Sequence, residues 1–307
     1  MYFVSITNNR SPSATKRRQA MRAVVLSGGG AKGAYEVGAL KYLLESGMRY
    51  DIFTGVSVGA LNASYLAQFK SEDVMTGFVT LENIWKNISN EKVYKSWFLF
   101  GQLAALWKMS LFNSEPLENL VSSMLNTDVL KSSGKKLLVG ATCLKTGEYK
   151  LFDQNHPDII KAVIASSVFP GFFCPVKIEG NYWLDGGVRE TTPIMAAIQA
   201  GATHIDIIST VGKLIDNRFP DNPKTLDVAG RSLGLMADEI ANADIKKAVL
   251  YNRLIDAGVE TGKKRISIRL VQPMINIAED ALDFQKDECV NRMLLGYEDA
   301  KRIEILI

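Results

Sequence analysis

The length, composition and charge of the chain are those of an ordinary globular protein. It has 307 residues, of which 47% are hydrophobic and 22% are charged, so long disordered regions are not expected outside the termini. The net charge of +3 is too small to indicate a nucleic-acid-binding protein. The three cysteines match no zinc or redox motif, which favours a reducing intracellular compartment.

Residues 1–20 are predicted to form a flexible tail. The segment contains several arginines and serines, and no acidic residue precedes Glu36, a composition that also suits a transit peptide. It lacks the apolar core of a secretory signal, and Met21 directly before the first predicted strand favours the tail. No stretch of the sequence reaches the roughly 20 apolar residues of a membrane span. We therefore expect a cytoplasmic protein, with at most peripheral membrane contact.

The first predicted elements alternate between strand and helix. Arg22–Ser27 is predicted as a strand that ends at a glycine cluster, and Ala34–Ser46 as the helix that follows. Tyr50–Thr54 is predicted as the next strand, with a helix starting at Ala60. This order predicts parallel strands joined by right-handed crossovers.

Residues 70–132 contain no good strand pattern and are predicted as a mostly helical insertion. Within it, the apolar run Trp97–Trp107 has helical spacing, which is typical of a core helix. An apolar segment that contains tryptophan is also suited to docking at a lipid interface, so the insertion is a candidate lid.

The second half of the chain returns to alternating strands and helices. A hairpin is predicted from Leu137–Thr142 and Tyr149–Phe152, and a strand at Tyr182–Leu184 ends at Asp185. The other predicted elements are, in chain order, a helix at Pro157–Ser166, a helix at Pro193–Ala200, a strand at His204–Ser209, a helix at Leu226–Ile255, an edge strand at Arg265–Leu270 and a helix at Asp283–Arg302. Together these elements predict one α/β domain over residues 21–307. It has three layers, a mostly parallel central sheet with helices on both faces.

A serine lies at the predicted turn between the second strand and its helix. Ser57 is the centre of Gly55–Gly59, a G-x-S-x-G element, which typically exposes the hydroxyl on a sharp, strained turn. The flanking glycines have no Cβ atoms to collide at such a turn. The helix N-terminus adds a partial positive charge beside any oxyanion formed there. Ser57 is therefore the candidate nucleophile.

A serine hydroxyl needs a base, and the chain contains two histidines. His156 lies at a predicted loop–helix junction, and His204 begins a strand at the sheet end opposite the nucleophile, so neither is well placed. Asp185 is predicted at the C-terminal end of a strand. A carboxylate there can accept the serine proton if burial raises its pKa from about 3.9. The alternative is that Asp185 is an ordinary residue of an Asp-Gly turn.

The glycine cluster Gly28–Gly33 allows two interpretations. It matches the weak G-x-G-x-x-G pattern of phosphate-binding loops, but the Walker pattern is absent because Lys32 precedes Gly33 and Ala34 follows it. The same backbone freedom lets successive N–H groups converge on one oxygen, as an oxyanion hole requires. The cluster therefore indicates either an oxyanion hole or the phosphate site of a nucleotide-binding regulatory module.

Beyond these single features, four motifs occur in a characteristic order along the chain. They are Gly28–Gly33, Gly55–Gly59, Ala165–Pro170 and Asp185–Gly187. The order is that seen in patatin-like phospholipases, and the chain resembles a bacterial-type member of that family.

The resemblance implies a serine hydrolase that cleaves fatty-acyl esters of lipids or lysolipids through an acyl-enzyme. Ser57 is then the nucleophile, Asp185 the base of a dyad without histidine, and the N–H groups of Gly28, Gly29 and Gly30 the oxyanion hole. No metal and no cofactor are implied. A transacylase, which passes the acyl group to an alcohol, shares the same intermediate, so the sequence does not separate the two reactions. Head group, chain length and oligomeric state are left open.

Overall fold

The structure is a computed structural model that describes residues 20–96, 108–214, 219–260, 262, 265–275, 277 and 281–306. The strands are β1 (Arg22–Leu26), β2 (Ile52–Gly55), β3 (Lys136–Cys143), β4 (Tyr149–Asp153), β5 (Val176–Ile178), β6 (Asn181–Asp185), β7 (His204–Ile208), β8 (Ser267–Val271) and β9 (Glu304–Ile305). The α-helices are α1 (Gly33–Glu45), α2 (Val58–Leu66), α3 (Val74–Lys86), α4 (Asn90–Val93), α5 (Glu115–Met124), α6 (Thr127–Ser132), α7 (Ile159–Ser167), α8 (Ile194–Gln199), α9 (Thr225–Asp256) and α10 (Lys286–Ala300).

The strands form one mixed sheet with a parallel centre. Their order is β5-β6-β3-β2-β1-β7-β8-β9, and β4 also pairs with β3. The pairs β3–β2, β2–β1, β1–β7 and β7–β8 are parallel. The strands β4, β5, β6 and β9 are antiparallel to their partners. The predicted α/β fold with a mostly parallel central sheet is confirmed.

Helices cover both faces of the sheet, as predicted, because side chains alternate along the central strand. In β1, Val24 and Leu26 pack into a large hydrophobic core together with α1, α2, α7 and α10. Ala23 and Val25 point to the opposite face and pack into a smaller core with α8 and α9. All four side chains are fully buried, as expected for a parallel strand between two helical layers.

The predicted edge position of the strand at 265–270 is wrong. β8 lies between β7 and β9, because Glu304 and Ile305 pair with Leu270 and Arg269 after the chain leaves the last helix. A strand of two residues has no periodicity, so no pattern in the sequence indicates it. The last helix is correspondingly shorter than predicted, since α10 begins at Lys286 and ends at Ala300.

The described part of the predicted insertion is helical. It contains α3 to α6, and an isolated bridge joins Lys95 to Asn113. The run Trp97–Trp107 and residues 1–19 of the predicted tail lie outside the described residues. The lid, the tail and the single-domain division therefore stay predictions. In the part of the chain that the structure describes, no helix combines the length and apolarity needed to cross a membrane.

Candidate active site

The glycine loop after β1 lies directly against Ser57. A Cβ atom at Gly28 would be 2.9 Å from the Cβ of Ser57, closer than such atoms approach each other. Gly29 and Gly30 have φ angles of 147° and 58°, and a Cβ at Gly30 would collide with the carbonyl oxygen of Ala281. Glycine is therefore needed here both for close approach and for a backbone conformation that other residues rarely adopt.

Ser57 occupies a strained turn between β2 and α2. Its φ and ψ angles are 56° and −133°, a region in which a non-glycine residue costs about 1–3 kcal/mol. A Cβ at Gly59 would lie 2.5 Å from the carbonyl oxygens of Leu26 and Ser27, so glycine lets the start of α2 pack against the end of β1. The turn therefore has the backbone expected of a nucleophile elbow.

Asp185 lies near Ser57 because the C-terminal ends of β2 and β6 meet along one side of β3. Gly55, the last residue of β2, pairs with Val139, and Asp185, the last residue of β6, pairs with Ala141. β4 pairs with both of these β3 residues from the other side, so β2 and β6 must share the same side of β3. The two strands run in opposite directions, and their C-terminal ends therefore meet two residues apart in register.

Burial makes Asp185 a stronger base than an ordinary aspartate. Its side chain is 1% exposed, and its Oδ1 accepts a 2.7 Å hydrogen bond from the Gly187 N–H. Burial raises its pKa from 3.8 to about 7. Hydrogen bonds from the Ser57 hydroxyl and the Gly187 N–H act in the opposite direction and lower the pKa, but burial has the larger effect. Oδ2 has no hydrogen-bond partner of standard geometry among the described residues. The Ser57 hydroxyl is nevertheless close enough to lower the pKa of this carboxyl group.

Some backbone N–H groups of the site already donate to an acceptor within the protein, and others do not. The Gly28 N–H donates to the carbonyl oxygen of Thr191 at 3.3 Å, and the Ser57 N–H donates to Ser166 Oγ at 3.0 Å. The N–H groups of Gly29 and Gly30 donate to no acceptor within the described ranges. Of the three glycines predicted to form an oxyanion hole, Gly29 and Gly30 are therefore the ones with N–H groups available to a ligand.

The two histidines lie away from this site. His204 pairs with Arg22 at the N-terminal end of β1, whereas the glycine loop follows the C-terminal end of that strand. His156 contacts Glu179 at 3.2 Å, and Glu179 lies in the turn before β6, at the end of that strand opposite Asp185. Neither histidine lines the cavity described next.

Ser57 and Asp185 open into a cavity of about 500 Å³. Much of its wall comes from the helices of the predicted insertion and from the chain after α7, through the apolar side chains Trp85, Ile88, Val93, Leu117, Leu120, Phe169 and Phe172. Its polar lining includes Lys32, Arg231 and Asp238. Burial lowers the pKa of Lys32, while Asp238 acts in the opposite direction. The cavity therefore combines a long apolar wall with a charged region beside the glycine loop.

Comparison with known proteins identifies the family. The family model described as patatin-like phospholipase matches residues 24–198, which include Ser57, Asp185 and the glycine loop. Because this match covers more than half of the chain, the protein belongs to the patatin-like phospholipase family.

Individual relatives are distant. The chain is 27% identical over 210 residues to lysophospholipase nte1 of Aspergillus terreus, which covers 66% of this chain and 13% of that protein. It is 27% identical over 192 residues to probable lipid hydrolase 463L of Invertebrate iridescent virus 6, covering 58% and 63% respectively. The structure of VipD from Legionella pneumophila aligns with a TM-score of 0.44 and 14% identity, covering 92% of this chain and 66% of that one. The chain thus spans less than two thirds of the length of these proteins.

Sequence reasoning missed two serines that contact Ser57. Ser166 accepts from the Ser57 N–H, and the Ser167 hydroxyl donates to the Ser57 carbonyl oxygen at 3.0 Å. More than 100 residues separate them from Ser57, so no local spacing links the two segments. The motif Ala165–Pro170, which contains both serines, is the only local signal in the sequence that marks this segment.

The raised pKa of Asp185 predicts a pH-dependent stability. A carboxyl group that holds its proton more tightly in the folded state stabilises the fold fully below its unfolded pKa, near 3.8, and loses this contribution as pH rises through about 7. The loss is up to about 4 kcal/mol by linkage. Asp185→Asn should therefore be more stable than the wild-type protein at pH 8. Urea unfolding at several pH values checks this, and a difference that does not shrink towards pH 4 would contradict it.

Proposed function

We propose that the protein is a serine acyl hydrolase that cleaves fatty-acyl esters of phospholipids or lysolipids. The observation that carries this proposal is the contact between Ser57, on a strained turn, and a buried Asp185 with a pKa of about 7 at the wall of a largely apolar cavity. A base with that pKa is substantially ionised at neutral pH, so no histidine is needed to accept the serine proton.

In the first half of the reaction, Ser57 forms an ester with the fatty acid. Its Oγ attacks the ester carbonyl carbon while Asp185 takes the hydroxyl proton. The carbonyl oxygen gains negative charge, which the N–H groups of Gly29 and Gly30 are available to stabilise. The C–O bond to the lipid alcohol then breaks, and protonated Asp185 returns its proton to the leaving alkoxide.

The second half of the reaction regenerates the serine. Asp185 removes a proton from a water molecule, the resulting hydroxide attacks the acyl carbon, and Ser57 leaves with the proton from Asp185. An alcohol or lysolipid in place of water makes the protein a transacylase through the same steps.

The cavity supports a lipid substrate. Its apolar wall suits an acyl chain, because transfer of each buried CH₂ group from water is favourable by about 0.8 kcal/mol. Lys32, beside the glycine loop, suits an anionic head group. The names of the fungal and viral relatives, lysophospholipase and lipid hydrolase, support the same substrate class.

The roles of Ser57 and Asp185 are tested by single substitutions. Ser57→Ala should abolish ester hydrolysis and labelling by a fluorophosphonate, because both reactions need the hydroxyl. Asp185→Asn should reduce turnover about as far, since members of one catalytic unit are strongly non-additive. His156→Ala and His204→Ala are the controls and should retain activity. Labelling of Ser57→Ala at the wild-type rate, or an inactive but folded histidine variant, would contradict the dyad.

The oxyanion role of the glycine loop is tested at Gly29. Alanine there adds a Cβ beside Thr210 Oγ1 and is strained by the φ of 147°. Alanine keeps the N–H, but the strain should move it away from the developing charge, and loss of one such donor typically lowers turnover about 10²–10³-fold with little change in KM. Gly47→Ala is the matched control, because Gly47 has a φ of 84° and no atom within 4 Å of an added Cβ. The alternative, a nucleotide-binding module, predicts lost nucleotide affinity in Gly29→Ala with ester hydrolysis unchanged.

The acyl-chain role of the cavity is tested at Leu120. Leu120→Trp, on the α5 side of the wall, should narrow the cavity and reduce turnover of long-chain esters more than that of short-chain esters. Val129→Trp on the neighbouring α6 is the control, because Val129 is 44% exposed and does not line the cavity. Equal losses on long and short esters in Leu120→Trp would show that this wall does not hold the chain.

A further inference from the structure

The strained backbone of Ser57 must be held by its surroundings. Within the described ranges, the only other non-glycine residue with positive φ is Glu179, in the tight turn between β5 and β6, where such a conformation is usual. Ser57 has no hairpin to impose its φ of 56°. A residue in this region persists only where neighbouring contacts over-determine its conformation.

Two side-chain hydrogen bonds hold Ser57 from both sides. Its N–H donates to Ser166 Oγ, and its carbonyl oxygen accepts from Ser167 Oγ, each at 3.0 Å. Ser166 is fully buried and Ser167 is 9% exposed, so water competes poorly for either bond. One adjacent pair of serines therefore contacts both backbone polar groups of the residue with the strained φ, and the carbonyl oxygen also accepts from the Ala60 N–H at 2.9 Å.

The same segment also contacts the backbone of Asp185. Ser166 and Ser167 form the last turn of α7, and the carbonyl oxygen of the next residue, Val168, accepts from the Asp185 N–H at 3.2 Å. The Ser167 Oγ also lies 2.9 Å from the Val163 carbonyl oxygen in the same helix, so its single proton is shared between the carbonyl oxygens of Ser57 and Val163. Three consecutive residues thus connect the two members of the proposed dyad, which are far apart in the sequence.

We propose that Ser166 and Ser167 are positioning residues that hold the Ser57 backbone in its reactive conformation and in register with Asp185. This inference rests on the proposed function, in which Ser57 is the nucleophile. Neither serine needs to touch the substrate for this role. A displacement of about 1 Å between reacting groups can cost on the order of 10²-fold in rate, so a hydroxyl that fixes the turn has a measurable effect on turnover.

The first experiment removes each hydroxyl. Ser166→Ala and Ser167→Ala should each lower kcat and the fluorophosphonate labelling rate about 10–100-fold, with KM for a short-chain ester nearly unchanged. Ser64→Ala is the matched control, because Ser64 is also fully buried, and its hydroxyl donates to Ala60 within α2, at 2.6 Å, and not to Ser57. The double variant should lose less than the product of the two single losses, because both serines hold one residue.

The second experiment separates the hydroxyl from the space it fills. Ser167 borders the cavity, and threonine and valine have almost equal shape, so Ser167→Thr and Ser167→Val form a matched pair. Threonine keeps the donor and should retain most of the labelling rate, whereas valine should lose as much as alanine. Thermal melts identify any variant that fails to fold. Among the folded variants, the difference between Ser167→Thr and Ser167→Val shows whether the hydroxyl donor or the volume of the side chain sets the labelling rate.

The outcomes separate this inference from the function on which it rests. If Ser57→Ala is unlabelled while the Ser166 and Ser167 variants react as fast as Ser64→Ala, the nucleophile stands and the positioning role is wrong. Equal rates for Ser167→Thr and Ser167→Val would also overturn it. If Ser57→Ala is itself labelled normally, the proposed function fails and the positioning role fails with it.

Discussion

The site depends on the meeting of β2 and β6 at their C-terminal ends along one side of β3. β3 is longer than β2, and its last residues leave room for a strand of opposite direction. The register places Gly55 opposite Val139 and Asp185 opposite Ala141. The carboxyl group therefore enters the site from inside the sheet and not from a surface loop. This position accounts for the nearly complete burial of Asp185.

Burial at that position determines both the basicity of Asp185 and its cost in stability. An ionised carboxylate in an apolar environment lacks the hydration it has in water, and burial raises the pKa of Asp185 to about 7. The fold thus gives up stability at neutral pH to keep a base there, a trade-off typical of active sites. In the proposed function, an aspartate shifted this far takes the place of histidine, which titrates near 6.5 without perturbation.

Local features of the site could be predicted from the sequence, and long-range pairings could not. The glycines around Ser57 and in the loop at 28–30 are required by turns that a few adjacent residues define, so their spacing indicates the geometry. The antiparallel direction of β6 depends on pairing with β3, some 40 residues earlier in the chain. The contacts of Ser166 and Ser167 with Ser57 span about 110 residues and rest on hydroxyl groups common throughout proteins.

The two helices that start at the site are also joined to the cavity wall. Asn62 in α2 donates to Glu36 in α1 at 2.8 Å and accepts from the Trp85 indole N–H at 2.9 Å. Burial raises the pKa of Glu36 well above its usual value, while the hydrogen bond from Asn62 acts in the opposite direction. Trp85 lines the cavity. The hydrogen bonds of Asn62 therefore connect the cavity wall directly to the helix that follows Ser57.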